Sequence, residues 1–215
     1  MATPRIFISM GTPYTEDFER FRDALETFLR DQCDADPRII GKNEYPDGNP
    51  LSKIKSVMSS CHGVIVVAYE RKFVQSGLEK RSSNHTTELS DKSYTTPWNH
   101  IESAMAFSLD LPLYILCQKG LSEEGLIETK LDWFVQYIDI HPDCLQKPEV
   151  VQSLTGWINN RVLPKSKSPR LFRVVGGKVR LSDMTPTEIF GGLGIILTAF
   201  SAGVAAVKLF PNLIG

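Results

Sequence analysis

The unbroken run Gly63-Val64-Ile65-Val66-Val67-Ala68 constrains this chain more than any other stretch. It is β-branched and too apolar for a strand with one wet face, so it reads as a strand covered on both sides, as in a parallel sheet between helices. The segments before it supply the alternation such a sheet needs. Arg5–Met10 reads as a short buried strand ending at Gly11-Thr12-Pro13. From the cap residue Thr15, Phe18, Phe21, Leu25, Phe28 and Leu29 follow helical spacing. Arg38-Ile39-Ile40 is a weak second strand, Asn43–Pro50 an exposed loop of turn formers, and Leu51–Cys61 a second helix with Leu51, Ile54, Val57 and Met58 on one face. Strand, helix, strand, helix, strand at this spacing predicts parallel pairing through right-handed crossovers.

Downstream, Thr95-Thr96-Pro97-Trp98-Asn99-His100-Ile101-Glu102 opens a third helix. Pro97 suits its first turn and Thr95 or Thr96 can cap it. Ile101, Met105 and Leu109, with Ala104 between, predict the face that packs on the sheet, with Glu102 beside it. Two readings of that start are open: Glu102 and Trp98 present an acid and an aromatic ring to a ligand, or Glu102 caps its helix while Trp98 is core. His100 is expected to be exposed. Leu111–Cys117 reads as a further parallel strand, Gly120–Thr129 as a short acidic loop-helix, Trp133–Ile140 as an edge strand, and Pro148–Leu163 as a closing helix. Glu70–Thr96 breaks the rhythm. It is polar and nearly aperiodic, and reads as a long irregular insertion, a lid or a disordered loop.

The 215 residues carry a net charge of −1, and no basic stripe interleaved with aromatics appears before residue 160, which argues against nucleic acid as a partner. Cys33, Cys61, Cys117 and Cys144 are widely spaced with no CxxC pair, so buried thiols in a reducing compartment are expected rather than disulfides or zinc. His62, His85 and His141 show no metal-ligand spacing, and no metal is expected. The amino terminus offers no secretory apolar region, so the large domain is expected to be cytoplasmic.

Composition changes after Leu163. Arg161, Lys165, Lys167, Arg170, Arg173, Lys178 and Arg180 stand against one acid, Asp183, and Leu171–Leu181 alternates about Gly176-Gly177 as a small hairpin would. Ile189–Val207 then contains no charged residue. Its length at about 1.5 Å per residue spans roughly 28 Å, close to the ~30 Å hydrocarbon core. The expected organisation is a domain over 1–163 with the 70–96 insertion, a basic juxtamembrane linker over 164–185, a transmembrane helix over 186–209 and a short tail over 210–215. The basic flank places the domain on the cytoplasmic side of a single-pass C-terminal anchor. Small residues four apart, such as Ala199 with Gly203, suit association of copies into a homo-oligomer.

Several of these segments together resemble a bacterial TIR (Toll/interleukin-1 receptor) domain. Arg5–Ser9 is similar to the first TIR strand, Tyr45-Pro46-Asp47-Gly48-Asn49-Pro50-Leu51 to the loop after the second, and Ser59–Val67 to a helix end and third strand. Trp98 and Glu102, followed by Ala106, resemble the helix that carries the family's catalytic acid. The resemblance implies a flavodoxin-like doubly wound sheet. In enzymatic members it also implies cleavage of the nicotinamide–ribose bond of NAD, which is the substrate and not a cofactor, by hydrolysis or cyclisation in antiphage defence. The same region is similar to nucleoside 2-deoxyribosyltransferases, which share the topology and place a Glu after a small hydroxyl residue. Both families act at the anomeric carbon of a ribosyl group.

The carboxyl ends of the strands, where such sheets bind ligands, would present Ser9, Gly11 and Thr12 from the first strand and Tyr69 and Arg71 from the third. Trp98 and Glu102 would join them from the helix, and Tyr45 would gate the cleft or join an assembly interface. Departure of a base passes through an oxocarbenium-like state, which a carboxylate such as Glu102 stabilises or attacks. Gly11 equally suits a plain turn, and Arg71 a solvated cation. Two rivals stand beside NAD cleavage: a deoxyribosyltransferase-like nucleotide hydrolase, and a non-enzymatic effector that senses a nucleotide, assembles and disrupts the membrane.

Overall fold

The computed structural model describes residues 3–128, 134–164, 174–175 and 178–179. The chain divides into two compact units, Met1–Ser166 and Lys167–Gly215. In the first, the elements run β1 (Arg5–Met10), α1 (Glu16–Cys33), β2 (Asp36–Arg38), α2 (Pro50–Ser59), β3 (Gly63–Ala68), β4 (Lys72–Glu79), β5 (Thr87–Tyr94), α3 (Pro97–Ser108), β6 (Leu113–Gln118), β7 (Phe134–Ile138) and α4 (Pro148–Trp157). Five strands form one sheet in the order β2-β1-β3-β6-β7, every neighbouring pair parallel. That is a doubly wound order whose direction reverses between β1 and β3, the position at which the carboxyl ends of the strands leave a crevice.

Strand pleat assigns the helices to faces. Ile6, Ile8, Ile65, Val67, Tyr69, Tyr114 and Leu116 pack with Phe21, Leu25 and Leu29 of α1 and Val150, Leu154 and Trp157 of α4. Phe7, Val64, Val66, Ala68, Leu113, Ile115 and Cys117 pack with Ile54, Val57 and Met58 of α2 and Ala106 of α3. Because successive side chains alternate, Ser9 shares the face of Phe7 and so points to α3. Gly63 opens β3 where the chain after α4 crosses it. A Cβ there would stand 2.8 Å from Val162 Cγ2 and 2.9 Å from Trp157 Cη2. Gly63→Ala is therefore expected to overpack this corner and remove about 1–3 kcal/mol of stability. Urea unfolding would show a lower midpoint at unchanged slope, and an unmoved midpoint would mean that the Trp157 ring yields without cost.

Three sequence expectations are corrected. The 70–96 segment is not irregular: β4 and β5 form an antiparallel hairpin from Lys72↔Tyr94 to Glu79↔Thr87. It escaped the pattern because the hairpin is largely exposed along both strands, so no alternation is imposed on its side chains. The second strand is Asp36–Arg38 and not Arg38–Ile40. Ile39 is diverted into a turn by Asn43, whose Oδ1 accepts from Ile39 N and whose Nδ2 donates to Pro37 O. Third, α3 does not turn Ile101 to the sheet: Ile101 is 42% exposed, while Asn99, Glu102, Ser103 and Ala106 are buried. Met105 and Leu109, from the same expected face, are partly buried and do pack against the core.

Among the described residues the four cysteines form no disulfide, and all but Cys33 are buried. In the second unit the described strands β8 (Val174–Val175) and β9 (Lys178–Val179) pair antiparallel on either side of Gly176-Gly177. The proposed span Ile189–Val207 lies outside the described residues, and among those described no helix is long and apolar enough to cross a membrane.

Candidate active site

The start of α3 is built as its sequence dictates. Thr96 is the cap, its Oγ1 accepting from Trp98 N, and Pro97 occupies the first turn. From there Asn99, Glu102, Ser103 and Ala106 recur at helical spacing and face the sheet. A surface helix ordinarily buries only its apolar stripe; beside Ala106, α3 also buries a carboxyl, an amide and a hydroxyl at the switch between β1 and β3.

Their hydrogen bonds are specific. Asn99, 1% exposed, donates through Nδ2 to Ser9 O at 3.2 Å and to Ser9 Oγ at 3.0 Å. Thr95 Oγ1 donates to Asn99 Oδ1 at 2.7 Å, and Ser103 Oγ to Asn99 O at 2.6 Å. Ser9 is fully buried and Glu102 is 8% exposed. Burial pushes the Glu102 pKa up to about 7, and the Ser9 side chain opposes that rise. No cation compensates it, so the group is held near the middle of its titration at neutral pH. That is the condition of a functional carboxyl more often than of a structural one.

Around this core the strand ends lock together. Tyr69 packs against Phe18 with ring centroids 4.3 Å apart, and its OH donates to Gly11 O at 2.6 Å. Gly11 sits so close to that hydroxyl that a Cβ would lie 3.3 Å from it. Arg71 Nη1 donates to Thr12 O at 3.3 Å, with its guanidinium 5.5 Å from the centre of the Tyr14 ring. Glu70 is fixed at three points: its N donates to Gln118 Oε1, its carbonyl accepts from Tyr14 OH, and its carboxylate accepts from Ser93 of β5. The hairpin is thereby tied to the end of β3.

Of the residues singled out from sequence, Ser9 and Glu102 are both buried on the face between β1 and α3, and Gly11, Thr12, Tyr69 and Arg71 form one contact group at the ends of β1 and β3. Trp98 is 45% exposed, which rules out the core reading for it. Tyr45 stands exposed on the loop after β2 with its hydroxyl turned back to Lys42 O, outside both groups. Glu102 does not cap its helix, since Thr96 does. His100, expected exposed, packs beside the turn Gly125–Ile127, its Nε2 4.0 Å from Glu124. Sequence reading missed the hydrogen-bonded set of Thr95, Asn99 and Ser103 with Ser9 on the face that bears the acid, and Tyr14 as a strut. The available signal was the polar spacing 95, 99, 102, 103 along the start of α3. Among the described residues no group of His, Cys, Asp and Glu is arranged to hold a metal ion.

No family model matches the chain, and no curated protein matches it. A solved structure with a similar outline is the CMP N-glycosidase BcmB of Clostridium botulinum, 14% identical, with a TM-score of 0.41 over 68% of this chain and 98% of that one. A likeness of that degree assigns neither substrate nor residues.

Proposed function

We propose that this chain cleaves the N-ribosyl bond of a nucleoside or nucleotide, with Glu102 as the carboxylate that faces the anomeric carbon. One observation carries the reading: a buried carboxyl with no cation partner at the strand-order switch of a doubly wound sheet. In the reaction the C1′–N bond breaks with its electron pair going to the base. The Glu102 carboxylate meets the developing charge at C1′, by field or by a transient ester, and water completes the exchange. Arg71, anchored on Thr12 and Tyr14, keeps donors to spare for a phosphate or pyrophosphate. NAD belongs to the same substrate class and asks least of the site, because nicotinamide leaves without needing a proton.

The test is release of free base from a panel of ribonucleosides, deoxyribonucleosides, 5′-nucleotides and NAD by the full chain in lipid vesicles. With the carboxylate as the working form, kcat/KM is expected to rise about tenfold per pH unit below about 7 and to level off above it. A profile falling through that range would assign Glu102 as an acid instead. No base from any substrate would end the enzymatic reading. Membrane anchoring through Ile189–Val207 and assembly of copies belong to the same proposal. The exposed, uncharged Trp98 and Ile101 on the outer side of α3 support the latter.

A further inference from the structure

The central sheet has two edges, and its sequence guards only one of them. At the first edge β2 is three residues long and carries the charged Asp36 and Arg38. Its Pro37 has no N–H to offer, and the Pro37 carbonyl accepts from Asn43 Nδ2. Short length, charge and proline are the devices that keep a sheet edge from pairing. β7, at the other edge, has none of the three. Its run Phe134-Val135-Gln136-Tyr137-Ile138 contains no charge and no proline, and Phe134 is 51% exposed. Among the described residues β7 pairs with β6 alone, and no backbone group bonds its outer edge. Both polar side chains of the strand are satisfied within the chain. Gln136 accepts from Tyr114 OH and donates through Nε2 to Glu149 O, and Tyr137 OH donates to Glu123 at 2.6 Å. Above the strand, α4 and the turn after it hold no charged residue between Glu149 and Arg161. Interface centres are depleted of charge in the same way.

We propose that β7 pairs antiparallel with β7 of a second copy of this chain, joining two five-stranded sheets across a two-fold axis at Gln136. Symmetry selects the register. A two-fold axis normal to the sheet carries hydrogen-bonded pairs onto hydrogen-bonded pairs, and along an antiparallel ladder these alternate with non-bonded pairs. Facing residues must therefore lie an even number of positions apart, and one residue must face its own copy. Centred on Gln136, the pairing sets Phe134 against Ile138 and Val135 against Tyr137 of the second copy, twice each. Each is an aromatic residue against a β-branched one, a favourable cross-strand combination. Centred on Val135 the strand would set Phe134 against Gln136, and centred on Tyr137 it would set Val135 against Asp139. Only the first register matches every apolar residue with another. A seam of five residues is about 17 Å long. That is short for the about 800 Å² per partner of a standard interface, so the pairing is reversible and concentration-dependent. The inference rests on the reading that copies assemble and names the surface; it does not depend on Glu102.

The test uses the full chain in neutral detergent, with wild type as the blank for its own thiols. Gln136→Cys is expected to give a disulfide-linked dimer under mild oxidation, because facing residues stand about 4.5–5.5 Å apart at Cα, within reach of a disulfide. Val135→Cys stands diagonally from its own copy, at about 7–8 Å, and is expected to link at least about tenfold more slowly. Equal rates at the two positions, or faster linkage at Val135, overturn the proposal. Because Gln136→Cys gives up two hydrogen bonds, sedimentation supplies a second measurement. Phe134→Lys places a charge on the exposed end of the strand and is expected to raise the dimer dissociation constant at least about tenfold. An oligomer that ignores Phe134→Lys overturns the proposal and leaves assembly to another surface. A wild type that stays monomeric at every concentration ends the assembly reading and this inference with it.

Discussion

Glu102→Gln is expected to reduce release of free base by at least about 10³-fold while the protein stays folded. The substitution preserves volume and hydrogen-bonding shape in a site where the side chain is almost entirely enclosed. What it removes is the negative charge that meets C1′ as the base departs, and that charge is worth most in a place shielded from water. Nothing among the described contacts replaces it: burial and the Ser9 hydroxyl alone act on the carboxyl. The assay is base release by chromatography, with circular dichroism on the same sample to establish the fold. Turnover within about tenfold of wild type would remove Glu102 from the chemistry and leave the binding or assembly readings.

The same substitution should make the protein more stable above neutrality. The Glu102 carboxyl has an ordinary value near 4.5 and sits at about 7 in the folded protein. The folded state thus holds this proton more tightly than the unfolded chain. Its contribution to stability is fully present below about 4.5 and is lost as pH rises through about 7. Beyond that, ionising the buried group costs on the order of 3 kcal/mol. Glutamine carries no such dependence. Relative to wild type, Glu102→Gln is expected to gain stability between pH 5 and pH 8, read as the change in the wild-type–variant difference from urea unfolding at each pH. A constant difference would mean that burial does not raise this carboxyl. Gain of stability together with loss of turnover is what a site that strains its own fold predicts.

The strands and helices that were legible are those whose environment is uniform. β3 lies between two helical layers, so all six of its positions are buried and the run is apolar throughout. The spacing of Phe21, Leu25, Phe28 and Leu29 likewise records one wet and one dry side of α1. The β4–β5 hairpin faces water along most of its length and leaves no such record. α3 was legible as a helix, down to its Thr96 cap and Pro97, but its rotation was not. Apolar spacing pointed Ile101 and Met105 inward; Met105 does pack against the core, but Ile101 faces solvent because Asn99, Glu102 and Ser103, which belong to a site, take the buried positions.

By itself the sequence determined the alternation of parallel strands and helices outside the β4–β5 hairpin and the helix that bears Glu102, since each follows from local periodicity and capping. It also marked Glu102, Ser9 and Gly11 as residues at the right ends of their elements. Only the tertiary structure decided that Ser9 shares the α3 face, that Asn99 orients it, and that Trp98 stands toward solvent. Those facts depend on which strands become neighbours and on the one-residue parity of β1 against β3, where Ser9 pairs with Val66. A shift of a single residue would turn Ser9 to the opposite face, and no local pattern encodes that choice.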